Sequence, residues 1–231
     1  MIQKFKTAFL MVVFGCLLNA CSGPKIENAI SAEEIAQLQI TSLPGKIDRE
    51  CRNGRAKIYD ECSPQMDLFA EAQRRAKAEN KVILVSYGAE WCIWCHVFDA
   101  YVHGYVDKFT YTYGAEGDDE RVTHTMRERA KRDVSREAYD LKKYVSENFI
   151  LVHIDYEHSP DGDDVLSQAD AWDDFANFIP YIFTVNTDGK YAAAFNHDDA
   201  EVRRDTYDWY RGYDRVQLLD QLKAMRGAAT K

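Results

Sequence analysis

The chain carries two kinds of apolar spacing beyond residue 60. Val82–Tyr87 (VILVSY) and Phe149–Asp155 (FILVHID) are short, β-branched and almost continuously apolar. Runs of that kind predict strands covered on both faces. Between and after them apolar residues recur at helical spacing. Met66, Phe69, Ala70 and Ala76 follow Ser63-Pro64, a capping hydroxyl ahead of a proline at the first helical position, and Lys81 ends that helix. Phe98, Val102, Tyr105 and Phe109 predict a second helix. Val134, Ala138, Leu141 and Val145 predict a third, and Val165, Ala169, Trp172 and Ala176 a fourth. Tyr181–Asn186 and Tyr191–Phe195 read as strands joined through Asp188-Gly189, a strong hairpin signal. Asp214 and Gln217 resemble a capping box before a last helix bearing Val216, Leu219 and Leu222. Residues 110–133 are polar and expected to be irregular, and 157–164 form an acidic loop.

The order is therefore strand, helix, strand, helix, hairpin, helix. Strands joined through helices run parallel with a right-handed crossover, whereas hairpin strands are antiparallel. The expected fold class is α/β, with a central mixed β-sheet flanked by helices. Ahead of it, residues 21–62 read as a tether and N-terminal extension, punctuated by Ser22, Gly23, Pro24, Pro44 and Gly45, with a short helix at 32–38. The domain proper is assigned to 63–231, with insertions at about 110–148 and 156–176.

The first twenty residues are different in kind. Lys4 and Lys6 precede an uncharged, mostly apolar run from Ala8 to Leu18. That run falls short of the roughly 20 residues a membrane-spanning helix needs. A positive start, a short apolar run and small residues predict an export signal. Leu18-Asn19-Ala20-Cys21 resembles a bacterial lipoprotein lipobox, although Asn19 is unusual at its position. The resemblance implies lipidation of Cys21 and a protein anchored to a bacterial membrane, facing the periplasm. Ser22, where an Asp would favour inner-membrane retention, inclines this to the outer membrane. An ordinary signal peptide cut nearby is the alternative.

The formal net charge of −9 falls to −11 once Lys4 and Lys6 leave with the leader. An acidic chain of this kind is a poor partner for nucleic acid, which rewards clustered Lys and Arg. With Cys16 in the leader and Cys21 at the lipid site, Cys51, Cys62, Cys92 and Cys95 remain. Export permits disulfides, so Cys51 and Cys62 are expected to form a structural pair. Two unpaired thiols are the alternative, and no metal site is expected, since no His or Cys stands at zinc spacing beside them.

Cys92-Ile93-Trp94-Cys95 follows a buried strand directly and opens a helix. Dithiol exchange needs one ionised, accessible thiol and a second that resolves the mixed disulfide. The first cysteine at a helix start gains from unpaired N–H groups that favour its thiolate. Cys92 is thus the expected nucleophile, with its sulfur pointing outward. Cys95 is the resolver beneath the helix. Glu90 and His96 are candidates for tuning the thiolate, His96 also reading as a helix-surface histidine without a role. His96 completes Cys-x-x-Cys-His, the c-type haem attachment pattern, a minor reading that Trp91, Trp94 and the preceding strand oppose. No cofactor or metal is expected.

Gly88-Ala89-Glu90-Trp91-Cys92-Ile93-Trp94-Cys95 resembles the active-site segment of the thioredoxin superfamily. Ile179-Pro180-Tyr181 resembles that family's cis-proline loop, Asp188-Gly189 its hairpin turn, and Arg211-Gly212-Tyr213 the segment before its last helix. The resemblance spans roughly residues 63–227. It implies a thioredoxin-like fold with Cys92 and Cys95 as the redox-active pair, and Trp91, Ile179 and Pro180 as the docking surface for a substrate strand. Its partners are protein thiols or disulfides in the cell envelope and a membrane electron donor. Trp91 resembles reductive members, so a reductase or isomerase is expected. The chain departs from the family in three ways. Ser86 stands where a buried Asp is usual, Leu151 or Val152 stands where a Lys is usual, and about 88 residues separate Cys92 from Pro180. A redox-inactive binding or scaffold protein is the alternative. Asp161, Asp163 and Asp164 match no calcium loop and read as a solvated acidic loop. Tyr207, Trp209, Tyr210 and Tyr213 read as sheet packing, and His197, Asp198 and Asp199 as loop surface.

Overall fold

Two strands that are apolar for most of their length sit side by side at the centre of the molecule. The structure is a computed structural model, and it describes residues 30–106, 109–114, 121–126, 135–204 and 210–231. Its elements in chain order are α1 (Ala32–Gln37), β1 (Thr41–Leu43), α2 (Gln65–Glu79), β2 (Val82–Gly88), α3 (Ile93–Val102), β3 (Phe109–Gly114), β4 (Arg121–Met126), α4 (Ser135–Asn148), β5 (Phe149–Asp155), α5 (Gly162–Ala169), β6 (Tyr181–Val185), β7 (Tyr191–Ala194), α6 (His197–Ala200), β8 (Glu201–Arg204), β9 (Tyr210–Tyr213) and α7 (Arg215–Ala229). The main sheet has the order β1-β5-β2-β6-β7. β1, β5 and β2 run parallel, and β6 and β7 are antiparallel additions. The fold is mixed α/β with a five-stranded mixed sheet between helices.

The continuous apolar runs follow from that sandwich. Successive strand side chains point to opposite faces. Val82 and Leu84 of β2 and Phe149 and Leu151 of β5 pack against α3, α4 and α7. Ile83, Val85 and Tyr87, with Ile150, Val152 and Ile154, pack against α2 and α5. The α3 face turns polar toward one end of the sheet, where Ser86 pairs in register with His153 and Gly88 with Asp155.

Several expectations need correction. The second helix stops at Val102 and does not continue to Phe109. Gly104 takes a left-handed φ of 80°, and a Cβ there would stand 2.8 Å from Ile35 Cγ2, so the chain turns away to form β3. Residues 110–133 are not all irregular, since β3 and β4 form a two-stranded antiparallel sheet. α5 ends at Ala169, where Asp170 adopts a left-handed conformation, and leaves Trp172 exposed beyond it. α7 buries Leu218, Leu222 and Met225 and exposes Val216, a rotation of the expected face, because the helix packs on α4, β6 and β7 through those three side chains and leaves Leu219 only partly buried, while Asp214 caps it by accepting from Val216 and Gln217 N–H. The extension is no mere tether. β1 adds the edge strand beside β5, α1 packs on α4, and buried Lys142 donates to Ile35 O. Residues 1–29, with the export signal, lipobox and Cys21, lie outside the described residues, as do Val134, Tyr207 and Trp209. Among the described residues no helix is long and apolar enough to cross a membrane.

The rotated face of α7 has a direct test in denaturant titrations of the oxidised protein. Leu222→Ala should cost about 2–5 kcal/mol by cavity formation, whereas Val216→Ala should stay within about 0.5 kcal/mol of the parent.

Candidate functional site

The site lies where β2 hands over to α3. β2 ends at Gly88, a short loop follows, and Cys92 is the N-cap of α3 with its sulfur accepting from the Cys95 N–H at 3.2 Å. Cys92 and Cys95 are joined as a disulfide. The position gives the Cys92 sulfur the helix-terminal N–H groups that favour a thiolate when the bond opens. Gly88 is required by close approach, because a Cβ there would lie 2.6 Å from Cys95 Sγ and 2.7 Å from Tyr59 Oη.

One expectation about the pair is corrected. Cys92 was expected to face outward, yet it is 4% exposed, close to the 0% of Cys95. The cover comes from residues assigned to the extension. Tyr59, fully buried, forms one cluster with both cysteines, and Ile58, Trp94 and Ile179 pack on it. Glu90 holds this cover in place. Its Oε2 accepts from the backbone N–H groups of Lys57, Ile58 and Tyr59 at 2.9, 3.0 and 3.1 Å. His96 Nε2 lies 2.7 Å from Glu90 O and 3.1 Å from its Oε1. Both tuning candidates therefore spend their polar atoms on the loop and the cover. Cys51 and Cys62 form a second disulfide at the base of the same segment, and closure of so short a loop stabilises by about 2–3 kcal/mol in the chain-entropy model.

The docking candidates surround the pair. Ile179 packs on the cysteine cluster, the Ile179–Pro180 bond is cis, and Trp91 is 37% exposed with its indole N–H donating to Glu157. Phe178, next to Ile179, is 48% exposed. The reading of His197 as loop surface is corrected. It is 7% exposed, with Nε2 2.8 Å from Pro180 O and Nδ1 3.0 Å from Glu201 Oε1, and its ring contacts Phe178, Phe195 and Tyr213. It fixes the proline loop from behind. Tyr213 packs on Trp94, Phe98 and Tyr101, as expected of a packing aromatic.

A buried polar chain beside the pair has no counterpart among the sequence expectations. Tyr59 and Ser86 hydroxyls share a hydrogen bond of 3.0 Å. The Tyr59 ring meets the His153 imidazole edge-on at 5.2 Å. His153 Nε2 lies 3.1 Å from Asp99 Oδ1, and His103 Nδ1 lies 3.1 Å from the same oxygen. Burial pushes the Asp99 carboxyl up, but hydrogen bonds from His103 and His153 outweigh it and hold the group well below the usual carboxylate range. Burial pulls His103 down, and the bond to Asp99 outweighs that and raises it. Burial holds the Tyr59 phenol far above its ordinary value. Only the helical spacing of Asp99 and His103, one turn apart, carried a signal for this network.

The acidic residues have structural duties. Asp161 accepts from Gln65 and Met66 N–H at the start of α2, and Asp163 accepts from the Tyr87 hydroxyl. Burial, with Asp155 and Glu90 adding to it and Arg52 opposing, pushes the Glu61 carboxyl up to about 7. Cys51, Asp60 and Cys62 place donor atoms close together, but the two sulfurs are bonded to each other and do not fit a metal. The haem pattern fits no better, with Cys92 bonded to Cys95 and His96 engaged by Glu90.

Glu90→Ala should release the cover and speed amide exchange at Lys57, Ile58 and Tyr59 by at least about tenfold, since each bond to a charged acceptor is worth roughly 1.5–3 kcal/mol. Glu61 binds its proton more tightly folded than unfolded, so stability should fall as pH rises from about 4.5 through about 7. Glu61→Gln should flatten that slope in denaturant titrations across the same range. No protein-family model matches this chain, and no curated protein matches it.

Proposed function

We propose that this chain is an exported, thioredoxin-like thiol–disulfide oxidoreductase that works through Cys92 and Cys95 as reductase or isomerase. The observation that carries the reading is the cysteine pair itself. It is joined as a disulfide at the N-terminus of α3, with Ile179 of a cis-proline loop packed on it. In the reductive direction the Cys92 thiolate attacks a partner disulfide, forming a mixed disulfide and releasing one partner thiolate. Cys95 then attacks Cys92, the second partner thiolate leaves, and two electrons have passed from the pair to the partner. Partners are disulfide-bearing proteins of the cell envelope, and a membrane donor re-reduces the pair. The leader and Cys21 support export and lipid anchoring at a bacterial membrane.

One observation favours a second reading, a redox-inert binding protein: the cover of Tyr59 and Ile58 leaves Cys92 4% exposed. A partner must displace part of that cover to reach the sulfur.

Insulin reduction with dithiothreitol as donor separates the two readings. Turnover above the uncatalysed rate, abolished by Cys92→Ser, is the expected result, and none would leave the scaffold. In cells Cys95→Ser should accumulate mixed disulfides on non-reducing gels while Cys92→Ser accumulates none. Adducts in Cys92→Ser alone would reverse the roles. A reduction potential near roughly −270 mV would mark a reductant, and one near roughly −120 mV an oxidant.

A further inference from the structure

The segment that covers the cysteine pair is itself a closed ring. Lys57, Ile58 and Tyr59 lie between Cys51 and Cys62, and the disulfide of those two joins positions 11 residues apart. Inside the ring Arg52, Asn53 and Gly54 follow one another with left-handed φ of 51°, 55° and 78°. Two of the three carry a Cβ that disfavours this conformation, so the closed ring holds a turn that a free chain rarely adopts. Past the cover, Asp60 Oδ1 accepts from the N–H groups of Cys62 and Ser63, each at 3.1 Å.

The two disulfides differ in access. Cys62 is exposed, whereas Cys51, Cys92 and Cys95 are buried. Among the described cysteines, Cys62 is therefore the sulfur that a thiol in solution can reach without moving the protein, and access decides which disulfide sulfur is attacked. Its partner has a place ready in the reduced state. Cys51 Sγ lies 3.9 Å from Asp60 Oδ1, near enough for a free Cys51 thiol to donate its S–H to that oxygen. The ring also contains Tyr59 and Ile58, which pack on the Cys92–Cys95 cluster. Opening the accessible bond thus acts on the very segment that screens the inaccessible one.

We infer that Cys51–Cys62 is a second redox site of this chain, a latch whose reduction by an external dithiol frees the cover and opens Cys92. The latch rests on the proposed exchange activity, since uncovering Cys92 serves that chemistry. The step balances as follows. One thiolate of the dithiol attacks Cys62 Sγ, the bond between Cys62 and Cys51 breaks, and Cys51 leaves as a thiolate that takes a proton from solvent. The second thiolate of the dithiol attacks its own sulfur in the mixed disulfide, and Cys62 leaves and is protonated in turn. The dithiol departs as a disulfide, having given two electrons to the pair. The Glu90 hydrogen bonds then hold the cover without the covalent closure, and loss of such a closure favours the open chain by about a hundredfold in the chain-entropy model. Reoxidation of Cys51 and Cys62 closes the latch again.

Timed reduction of the oxidised mature protein, in detergent, with dithiothreitol tests the latch. Samples are quenched with acid, free thiols are blocked with N-ethylmaleimide, and peptide mapping follows the two bonds separately. In the wild type Cys51–Cys62 should open first, and Cys92–Cys95 after a lag. In a Cys51→Ser, Cys62→Ser chain the lag should vanish, and Cys92–Cys95 should open at least about tenfold faster than it starts to do in the wild type, a part of the gain expected from losing the closure. Amide exchange at Ile58 and Tyr59 should rise in wild type caught with only Cys51–Cys62 reduced, while β2 and β5 keep their protection, a pattern of local opening. That pattern and the wild-type order decide the matter if the double variant fails to fold by circular dichroism. Cys92–Cys95 opening first, or at one rate in both chains, would overturn the latch, as would a Cys51–Cys62 bond that resists until denaturant is added. Both chains are also assayed for insulin reduction. Turnover with no order of opening overturns the latch and spares the exchange activity. Ordered opening with no turnover in either chain supports the latch and sinks the exchange activity.

Discussion

A single buried carboxylate ties the cysteine pair to the rest of the chain. Glu90 belongs to the loop that carries Cys92, and it accepts three consecutive backbone N–H groups from Lys57, Ile58 and Tyr59. Three donors on one oxygen offset the cost of taking the carboxylate out of water, and they hold a bend of distant sequence over the disulfide. Everything particular to this site follows from that clamp. Tyr59 reaches the space left by Gly88, Ile58 screens the sulfurs, and the Cys51–Cys62 bond limits how far the cover can swing. The clamp also limits access to the sulfurs, since half-buried Ile58 packs on the cysteine cluster and Cys92 is left 4% exposed.

The sheet provides the rigid frame behind this. β2 and β5 pack large apolar side chains on both faces for most of their length, then place Ser86, Gly88, His153 and Asp155 at one end. That end lies under the cysteines. The polar side chains survive burial because they partner one another or neighbouring backbone: Ser86 with Tyr59, His153 with Asp99, and Asp155 with the N–H groups of His158 and Ser159. On the other flank His197 holds the carbonyl of Pro180, so the loop that carries Ile179 is braced from inside the protein.

Buried Arg215 plays a comparable bracing role away from the site. It donates to the carbonyls of Tyr101 and Tyr105 and lies 4.1 Å from the Tyr101 ring centroid. The end of α3 and the start of α7 are thereby fastened together, which keeps the helix bearing both cysteines from shifting along the sheet.

What the amino-acid order determined by itself was local. Apolar runs placed β2, β5 and the β6–β7 hairpin, helical spacing placed α2 and α4, and the position of Cys92-Ile93-Trp94-Cys95 between a strand and a helix marked the candidate site. Those features depend on neighbours a few residues away, so period and spacing expose them. The end of α3 at Gly104, the pairing of β3 with β4, the face of α7 and the edge strand β1 were decided by packing and by partners elsewhere in the chain. The same holds for the surroundings of the sulfurs. Tyr59 lies 33 residues before Cys92, His153 comes from the next parallel strand, and His197 from beyond the hairpin. A polar residue shows no period of its own, and its burial becomes favourable only when a distant segment supplies the hydrogen bond. For that reason the tertiary structure alone could turn an apparent tether into the cover of the site.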